Sequence, residues 1–158
     1  MQDSRRNSLE PARNEAPDVI SLYELAEEEQ VPVYWYSMDS ELESLVAEIA
    51  PGQTAIALDP FKFQSIGDEK YKLAHELGHS LTGSLYQRNT PLDERGRNEE
   101  RADRWAIEHL LPFPLLDRAV RAGYTTTAEL AEYFELTQGF VEIAIAYYTG
   151  PKGLSFSE

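Results

Sequence analysis

The most restrictive feature of the sequence is a five-residue motif with two histidines, His75-Glu76-Leu77-Gly78-His79. Leucines recur at helical spacing through this part of the chain (Leu73, Leu77 and Leu81). Ser65 and Asp68 have the spacing of a capping box, so we predict a helix that continues to about Leu85. On a helix, residues 75 and 79 lie one turn apart on one face. Both imidazoles can therefore reach a single Zn²⁺ ion.

Glu76 is predicted to be the catalytic base. It is rotated by about 100° from His75 on a helix, which places it beside the metal rather than on it. Zinc lowers the pKa of a bound water to about 7, and a carboxylate beside that water can take its proton and return it to the leaving amine. The alternative is a buried helix with two incidentally spaced histidines, although the chain has only one other histidine, His109.

A catalytic zinc site needs a third ligand and one open position for water. The chain contains no cysteine, so this ligand has to be His, Asp or Glu. We assign the role to Glu99, which lies 20 residues beyond His79 and opens a second predicted helix of about Glu99–Leu111. Glu100 is the competing candidate, but it points about 100° away from Glu99 if the helix begins there.

Asp103 lies one helical turn after Glu99 and shares its face. We predict that its carboxylate accepts the N–H of a ligand imidazole, that of His75, and so fixes the tautomer. Ala102 and Ala106 continue this face with small side chains, which lets the two helices approach closely. The alternative for both acids is an exposed helix start, where the helix dipole favours negative charge.

Shorter elements are predicted on either side of these helices. A short amphipathic helix is expected at 21–30, and strands at 31–37, 43–50 and 54–58, which suggests a small, mostly antiparallel sheet. The polar segment 87–98 is interpreted as a loop. Further helices are expected at 115–122, after a capping pattern at Thr126 and Glu129, and from Thr137 or Gln138 to Gly150.

The motif at 75–79 and the segment N-E-E-R-A-D-R-W-A-I-E-H-L-L-P at 98–112 resemble the ImmA/IrrE family of zinc metallopeptidases. The resemblance extends over about 31–150, and the stretch at 129–148 is similar to the C-terminal helices of stand-alone phage and mobile-element members. It implies a compact α+β zincin fold of the gluzincin-like kind, with a small sheet packed on the active-site helices and further helices at the C-terminus.

The resemblance also implies a site and a substrate. The zinc ligands carried over are His75, His79 and Glu99, with Glu76 as the base. Some members carry a basic residue where this chain has Asp103, so the role of Asp103 rests on the residues alone. The implied activity is cleavage of a helix-turn-helix repressor encoded beside the protease, which releases a phage or mobile element from repression.

Two other classes of function stay open. One is a non-cleaving anti-repressor or binding module, although all catalytic residue types are present. The other is a component of a toxin–antitoxin pair, which the neighbouring genes would discriminate.

For a peptidase, the oxyanion needs a donor besides the metal. The candidates considered, between which the sequence does not choose, are His109, Tyr124, Tyr133, Tyr147 and Tyr148. Zincin-type substrates add to a sheet edge, for which strand 54–58 is the candidate.

Length and hydropathy limit the organisation of the chain. Its 158 residues suit one domain, and we divide it into a disordered tail (1–17), a metallopeptidase domain (18–150) and a short C-terminal tail (151–158). No apolar run approaches the roughly 18 residues of a membrane span, and the first seventeen residues lack the apolar region of a secretory signal. We therefore expect a soluble, cytoplasmic protein with no membrane partner.

The charge distribution limits the partners. The formal net charge is −14, and the segment from Asn14 to Phe61 holds eleven acids and no Lys or Arg. Such a surface repels phosphate and attracts basic proteins, so we expect no direct nucleic-acid partner. Together with the repressor that the resemblance implies, it leads us to expect a basic, DNA-binding protein substrate. Segment 126–148 mimics a helix-turn-helix but lacks the basic residues of a DNA reader. Its apolar side chains are expected to pack on the active-site helices (Leu130, Phe134, Phe140, Ile143 and Ala144).

Overall fold

The computed structural model describes residues 15–39, 41–86 and 89–157, so residues 1–14 of the predicted tail lie outside the described residues. Within these ranges the chain forms six α-helices, three strands and one 3₁₀ helix. In chain order they are α1 (Val19–Glu28), β1 (Val33–Trp35), β2 (Ser44–Ala50), β3 (Gln53–Leu58), the 3₁₀ helix (Pro60–Lys62), α2 (Ile66–Thr82), α3 (Leu92–Leu110), α4 (Phe113–Arg121), α5 (Thr127–Phe134) and α6 (Gln138–Thr149).

The three strands form one small mixed sheet in the order β1-β3-β2. β1 runs parallel to β3, with Val33 opposite Ile56. β2 runs antiparallel to β3 over a longer stretch, with a register irregularity between Glu48 and Ala50. The predicted α+β class is confirmed, and this small arrangement is compatible with a zincin-like fold.

The prediction that strand 54–58 is a free sheet edge is wrong. β3 is the central strand and is hydrogen-bonded on both sides, so the edges belong to β1 and β2. The physical reason is burial: Ile56 and Leu58 are fully buried, and Ala55 and Ala57 nearly so. A continuous apolar run of this kind suits a strand that is covered on both faces.

Both ends of helix α2 are marked by residues that commonly begin or end helices. The Ser65 hydroxyl accepts the N–H of Asp68 at 3.1 Å, as the capping pattern predicts. The helix stops three residues earlier than expected, because Gly83 adopts a left-handed conformation (φ 68°) that any other L-residue adopts less readily. α2 packs against β2, β3 and α1, and Leu73 and Leu77 are fully buried.

Helix α3 approaches α2 as closely as the small residues predict. A Cβ atom on Gly78 would lie 2.6 Å from the carbonyl oxygen of Ala102, so only glycine fits at this crossing. The start of α3 differs from the prediction, because residues 92–98 are helical rather than a loop. Pro91 precedes this start, and Asp93 and Glu94 in the first turn favour it electrostatically. Apart from the exposed Leu92 this turn is polar, so no apolar periodicity marks it.

The described residues divide into two compact units, 18–106 and 107–157 together with 15–17. The second unit holds α4, α5 and α6, and α5 packs on α6. The capping box of Thr126 and Glu129 forms as predicted, and the Thr137 side chain caps α6. Ile143 is exposed, whereas the other apolar residues predicted to pack are buried. No helix among the residues described here is long and apolar enough to cross a membrane.

Candidate metal centre

Three side chains from two helices meet at one point. On α2, the Nε2 atoms of His75 and His79 lie 3.2 Å apart. The carboxylate of Glu99 on α3 reaches both, with 3.0 Å from Oε2 to His75 Nε2 and 3.1 Å from Oε1 to His79 Nε2. Two imidazole nitrogens and a carboxylate oxygen so arranged form a group that could hold a metal ion. This donor set suits zinc and leaves a position open.

The hydrogen bonds behind the two imidazoles fix which nitrogen faces the shared point. His79 Nδ1 lies 2.8 Å from the carbonyl oxygen of Ser84. A carbonyl only accepts, so Nδ1 carries the proton and the lone pair of Nε2 is left for a metal. His75 Nδ1 lies 2.8 Å from Asp103 Oδ1, which makes it a donor as well. Both rings therefore have the tautomer that metal binding requires.

Asp103 occupies the place expected from its spacing, and a second donor holds it there. The Tyr71 hydroxyl donates to Asp103 Oδ1 at 2.9 Å. Burial by itself would raise the pKa of Asp103, but the hydrogen bonds from His75 and Tyr71 outweigh burial and lower it. Tyr71 lies one helical turn before His75, so its position on the same face was a signal available in the sequence.

The backbone partner of His79 depends on the end of α2. Gly83 turns the chain in a left-handed conformation, and the Ser84 N–H then donates to the His79 carbonyl oxygen at 3.0 Å. The same turn brings the Ser84 carbonyl oxygen back to the imidazole. Ser84 was not foreseen as part of the site, although a glycine four residues after His79 marks the helix end that creates it.

Glu76 lies beside the cluster without joining it. Its side chain is buried, at 7% exposure, and its Oε1 accepts the hydroxyl of Ser44 on β2 at 2.9 Å. Burial raises the pKa of Glu76, and the neighbouring His75 and the Ser44 hydrogen bond oppose that rise. A carboxylate with a raised pKa accepts a proton more readily than an ordinary one. Glu100, the competitor of Glu99, is exposed and stays outside the cluster.

The cluster lies in an open cleft of about 980 Å³. One wall is strand β2 from Ser44 to Glu48, and the other walls carry His75, Glu76, His79 and Glu99. The edge strand at the cleft is therefore β2. The strand predicted for this role, β3, contributes Thr54 alone.

The phenol at this cleft is Tyr86, which no sequence pattern singles out. Its ring lies edge-on to that of His79, with centroids 6.1 Å apart. The five oxyanion candidates from the sequence belong to the other unit and have contacts there. Tyr147 donates to Glu108 at 2.6 Å, Tyr148 to the Leu111 carbonyl at 2.8 Å, and Tyr124 packs on Tyr133. Burial lowers the pKa of His109.

An α+β unit with this cluster defines a domain of the metallopeptidase type. The family model of Peptidase M78, the IrrE N-terminal-like domain, matches residues 63–146, more than half of the chain. The chain belongs to this family, which confirms the resemblance to ImmA/IrrE proteins. Comparison with curated proteins gives no match.

Proposed function

We propose that the chain is a zinc-dependent endopeptidase that cuts a cytoplasmic protein substrate. The observation that carries this proposal is the convergence of His75, His79 and Glu99 around one point with Glu76 buried beside it. The donor set has no sulfur. Two neutral imidazoles and one carboxylate are a known set of ligands for catalytic zinc. When bound, zinc supplies a Lewis acid that polarises a carbonyl and makes water more acidic.

The protein's own groups account for the proton transfers. Glu76 takes one proton from water as the water oxygen bonds to the carbonyl carbon of the scissile peptide. Glu76 then gives that proton to the peptide nitrogen as the C–N bond breaks, which leaves a carboxylic acid and an amine. Ser44 donates to the oxygen Oε1 of Glu76 and so holds the carboxylate in place.

We propose that the substrate binds as an extended segment along β2. The antiparallel ladder with β3 uses one side of β2, and β2 lines the cleft that contains Glu76. Backbone hydrogen bonds to a free strand edge hold a peptide in extended form, and side-chain positions then select the sequence. Ala47 and Glu48 are exposed on this strand, so they are the first positions at which to test specificity.

For the substrate class we propose a basic, DNA-binding repressor encoded beside this chain's gene. The family membership and the acidic segment 15–59 support it, and Glu48 adds a negative charge to the cleft wall. Attraction of this kind raises the rate of encounter and weakens with salt. We expect kcat/KM on the purified repressor to fall several-fold between about 50 and 300 mM salt, with kcat nearly unchanged.

The test of the activity is Glu76→Gln. The amide cannot accept the proton of water, so we expect the variant to keep its zinc and lose cleavage of the repressor. Glu100→Gln is the matched control, because Glu100 is exposed and outside the cluster. Cleavage by Glu76→Gln at the wild-type rate would exclude Glu76 as the base. Repressor binding without cleavage by the zinc-loaded wild type would favour the non-cleaving anti-repressor.

A further inference from the structure

Tyr86 contacts the candidate metal centre although it is partly exposed. It lies three residues after the glycine that ends α2 and lines the cleft beside His79. Its side chain interacts electrostatically with the carboxylate of Glu99, the residue that joins both imidazoles. The residue is 43% exposed, so the phenol reaches both the cluster and the open cleft.

The ring of Tyr86 is held from a second side by α3. The guanidinium carbon of Arg95 lies 5.4 Å from the ring centroid, which is within the range of a cation–π contact. Arg95 is itself fixed, because its Nε donates to the Thr90 carbonyl oxygen at 2.9 Å. Contacts with His79 on one helix and Arg95 on the other define where the hydroxyl lies before any substrate arrives.

The hydroxyl of Tyr86 is a donor at neutral pH. The ordinary pKa of a tyrosine phenol is about 10. The phenol therefore keeps its proton. A carboxylate only accepts, so in any hydrogen bond with Glu99 the Tyr86 hydroxyl is the donor.

We propose that Tyr86 is a catalytic residue that donates a hydrogen bond to the oxygen of the scissile carbonyl as that oxygen becomes negative. This inference rests on the proposed peptidase function. Glu99 and His79 are two of the three residues that would hold the metal, so a hydroxyl beside them lies near the place where the scissile carbonyl would react. Negative charge that develops during the reaction is the charge that a fixed donor stabilises best.

Tyr71 shows why the assignment falls on Tyr86. Both phenols belong to the same unit and interact with a carboxylate of α3. Tyr71 donates to Asp103 behind His75 and is not among the residues that line the cleft. Its hydroxyl supports a ligand from the rear, whereas that of Tyr86 faces the space in which a substrate carbonyl has to lie.

The experiment compares Tyr86→Phe with Tyr34→Phe, which removes an exposed phenol from β1. The substrate is a fluorogenic peptide that spans the cut site of the neighbouring repressor. Binding is measured with its phosphinic analogue, whose tetrahedral PO₂–CH₂ group replaces the scissile amide. We expect Tyr86→Phe to keep about one zinc per chain and a KM within about two-fold, and kcat to fall about 100-fold. Affinity for the analogue should fall by a similar factor.

The outcomes separate this inference from the function on which it rests. An unchanged kcat in Tyr86→Phe, with an active wild type, overturns the role of Tyr86 and leaves the peptidase intact. Loss of zinc, or a raised KM with kcat retained, also overturns it, because the hydroxyl then positions Glu99 or binds substrate. A zinc-loaded wild type that cleaves nothing overturns both. Tyr86→His restores a donor, so we expect it to recover part of the lost rate.

Discussion

His75 and His79 present the same atom to the metal position, but the groups behind them come from two different regions. Behind His75 lies a side-chain carboxylate of α3, Asp103, itself held by Tyr71. Behind His79 lies a backbone carbonyl at the turn that ends α2. We call these the carboxylate region and the carbonyl region. The carboxylate region depends on the charged side chain of Asp103. The carbonyl region depends on the backbone conformation of Gly83.

The two regions affect their imidazoles differently. Burial would lower the pKa of His75, but the hydrogen bond to Asp103 and the charges of Glu76, Asp103 and Glu99 raise it instead. A carboxylate partner also makes the imidazole a stronger ligand. The carbonyl of Ser84 carries no net charge, so its contribution is to orient His79. The carboxylate region should therefore tune metal affinity more strongly than the carbonyl region does.

The largest effect is expected from removing an imidazole altogether. His79→Ala should reduce bound zinc from about one per chain to background, and the melting temperature should fall to that of chelator-treated wild type. Metal present at about 1,000 times its dissociation constant stabilises the native state by about 4 kcal/mol. Elemental analysis and thermal melts measure both. Glu100→Gln is the control, and equal zinc content in wild type and His79→Ala would exclude this site.

The next effect tests the carboxylate region. Asp103→Asn keeps an acceptor for His75 and removes the charge, so we expect zinc affinity to fall about 10–100-fold. Tyr71→Phe removes only the donor behind Asp103 and should have a smaller effect. Competition with a chromophoric chelator measures both affinities. If the two variants bind zinc as the wild type does, the charge of Asp103 does not tune the site.

The carbonyl region is tested by Gly83→Ala. Its φ of 68° costs an L-residue about 1 kcal/mol, and a Cβ there meets no atom within 4 Å, so strain is the main effect. We expect a few-fold loss of zinc affinity as the Ser84 carbonyl shifts. Gly123→Ala is the matched control, with a φ of 103° in the other unit. The same loss of affinity in both variants would mean that the turn after α2 has no special role.

The sequence predicts the carboxylate region better than the carbonyl region, for a physical reason. His75 and His79 lie one helical turn apart and share one face of α2. Glu99 and Asp103 are related in the same way on α3. A backbone carbonyl has no sequence signature of its own, so Ser84 is found only once the conformation of Gly83 is known. Spacing alone therefore recovers the side-chain donors and misses the backbone acceptor.

Two other parts of the molecule show the same limit. The first turns of α3 hold a single exposed leucine, Leu92, among polar residues and a glycine, so apolar periodicity places the start of the helix too late, at Glu99 instead of Leu92. Strand order is set by burial against the helices. The run Thr54–Leu58 predicts a strand correctly but not its central place in the sheet. Tyr86 joins the cluster through contacts across a turn, for which no spacing rule exists.

The smallest effect on the metal is expected at Asp59, a buried carboxylate that contacts Met38, Phe61 and Lys62 rather than a proposed metal ligand. It is 1% exposed and accepts the N–H groups of Met38 at 2.9 Å and Phe61 at 3.0 Å. The Nζ atom of Lys62 lies 3.7 Å from Asp59 Oδ2. The Met38 hydrogen bond is the main cause that lowers the pKa of Asp59, against the opposing effect of burial. Its charge therefore stabilises the fold and not the metal.

We expect Asp59→Asn to leave zinc affinity unchanged and to lower the melting temperature at neutral pH, with or without metal. The folded pKa of Asp59 lies below the unfolded value of about 3.9. Its contribution is therefore complete above about pH 4 and is lost as pH falls through the folded pKa. Melts from pH 7 to 2.5 should show the wild type and variant converging only at the acid end, whereas the exposed Asp93→Asn should match wild type throughout. A gap that persists at the lowest pH would assign the stabilisation to the shape of the Asp59 side chain rather than to its charge.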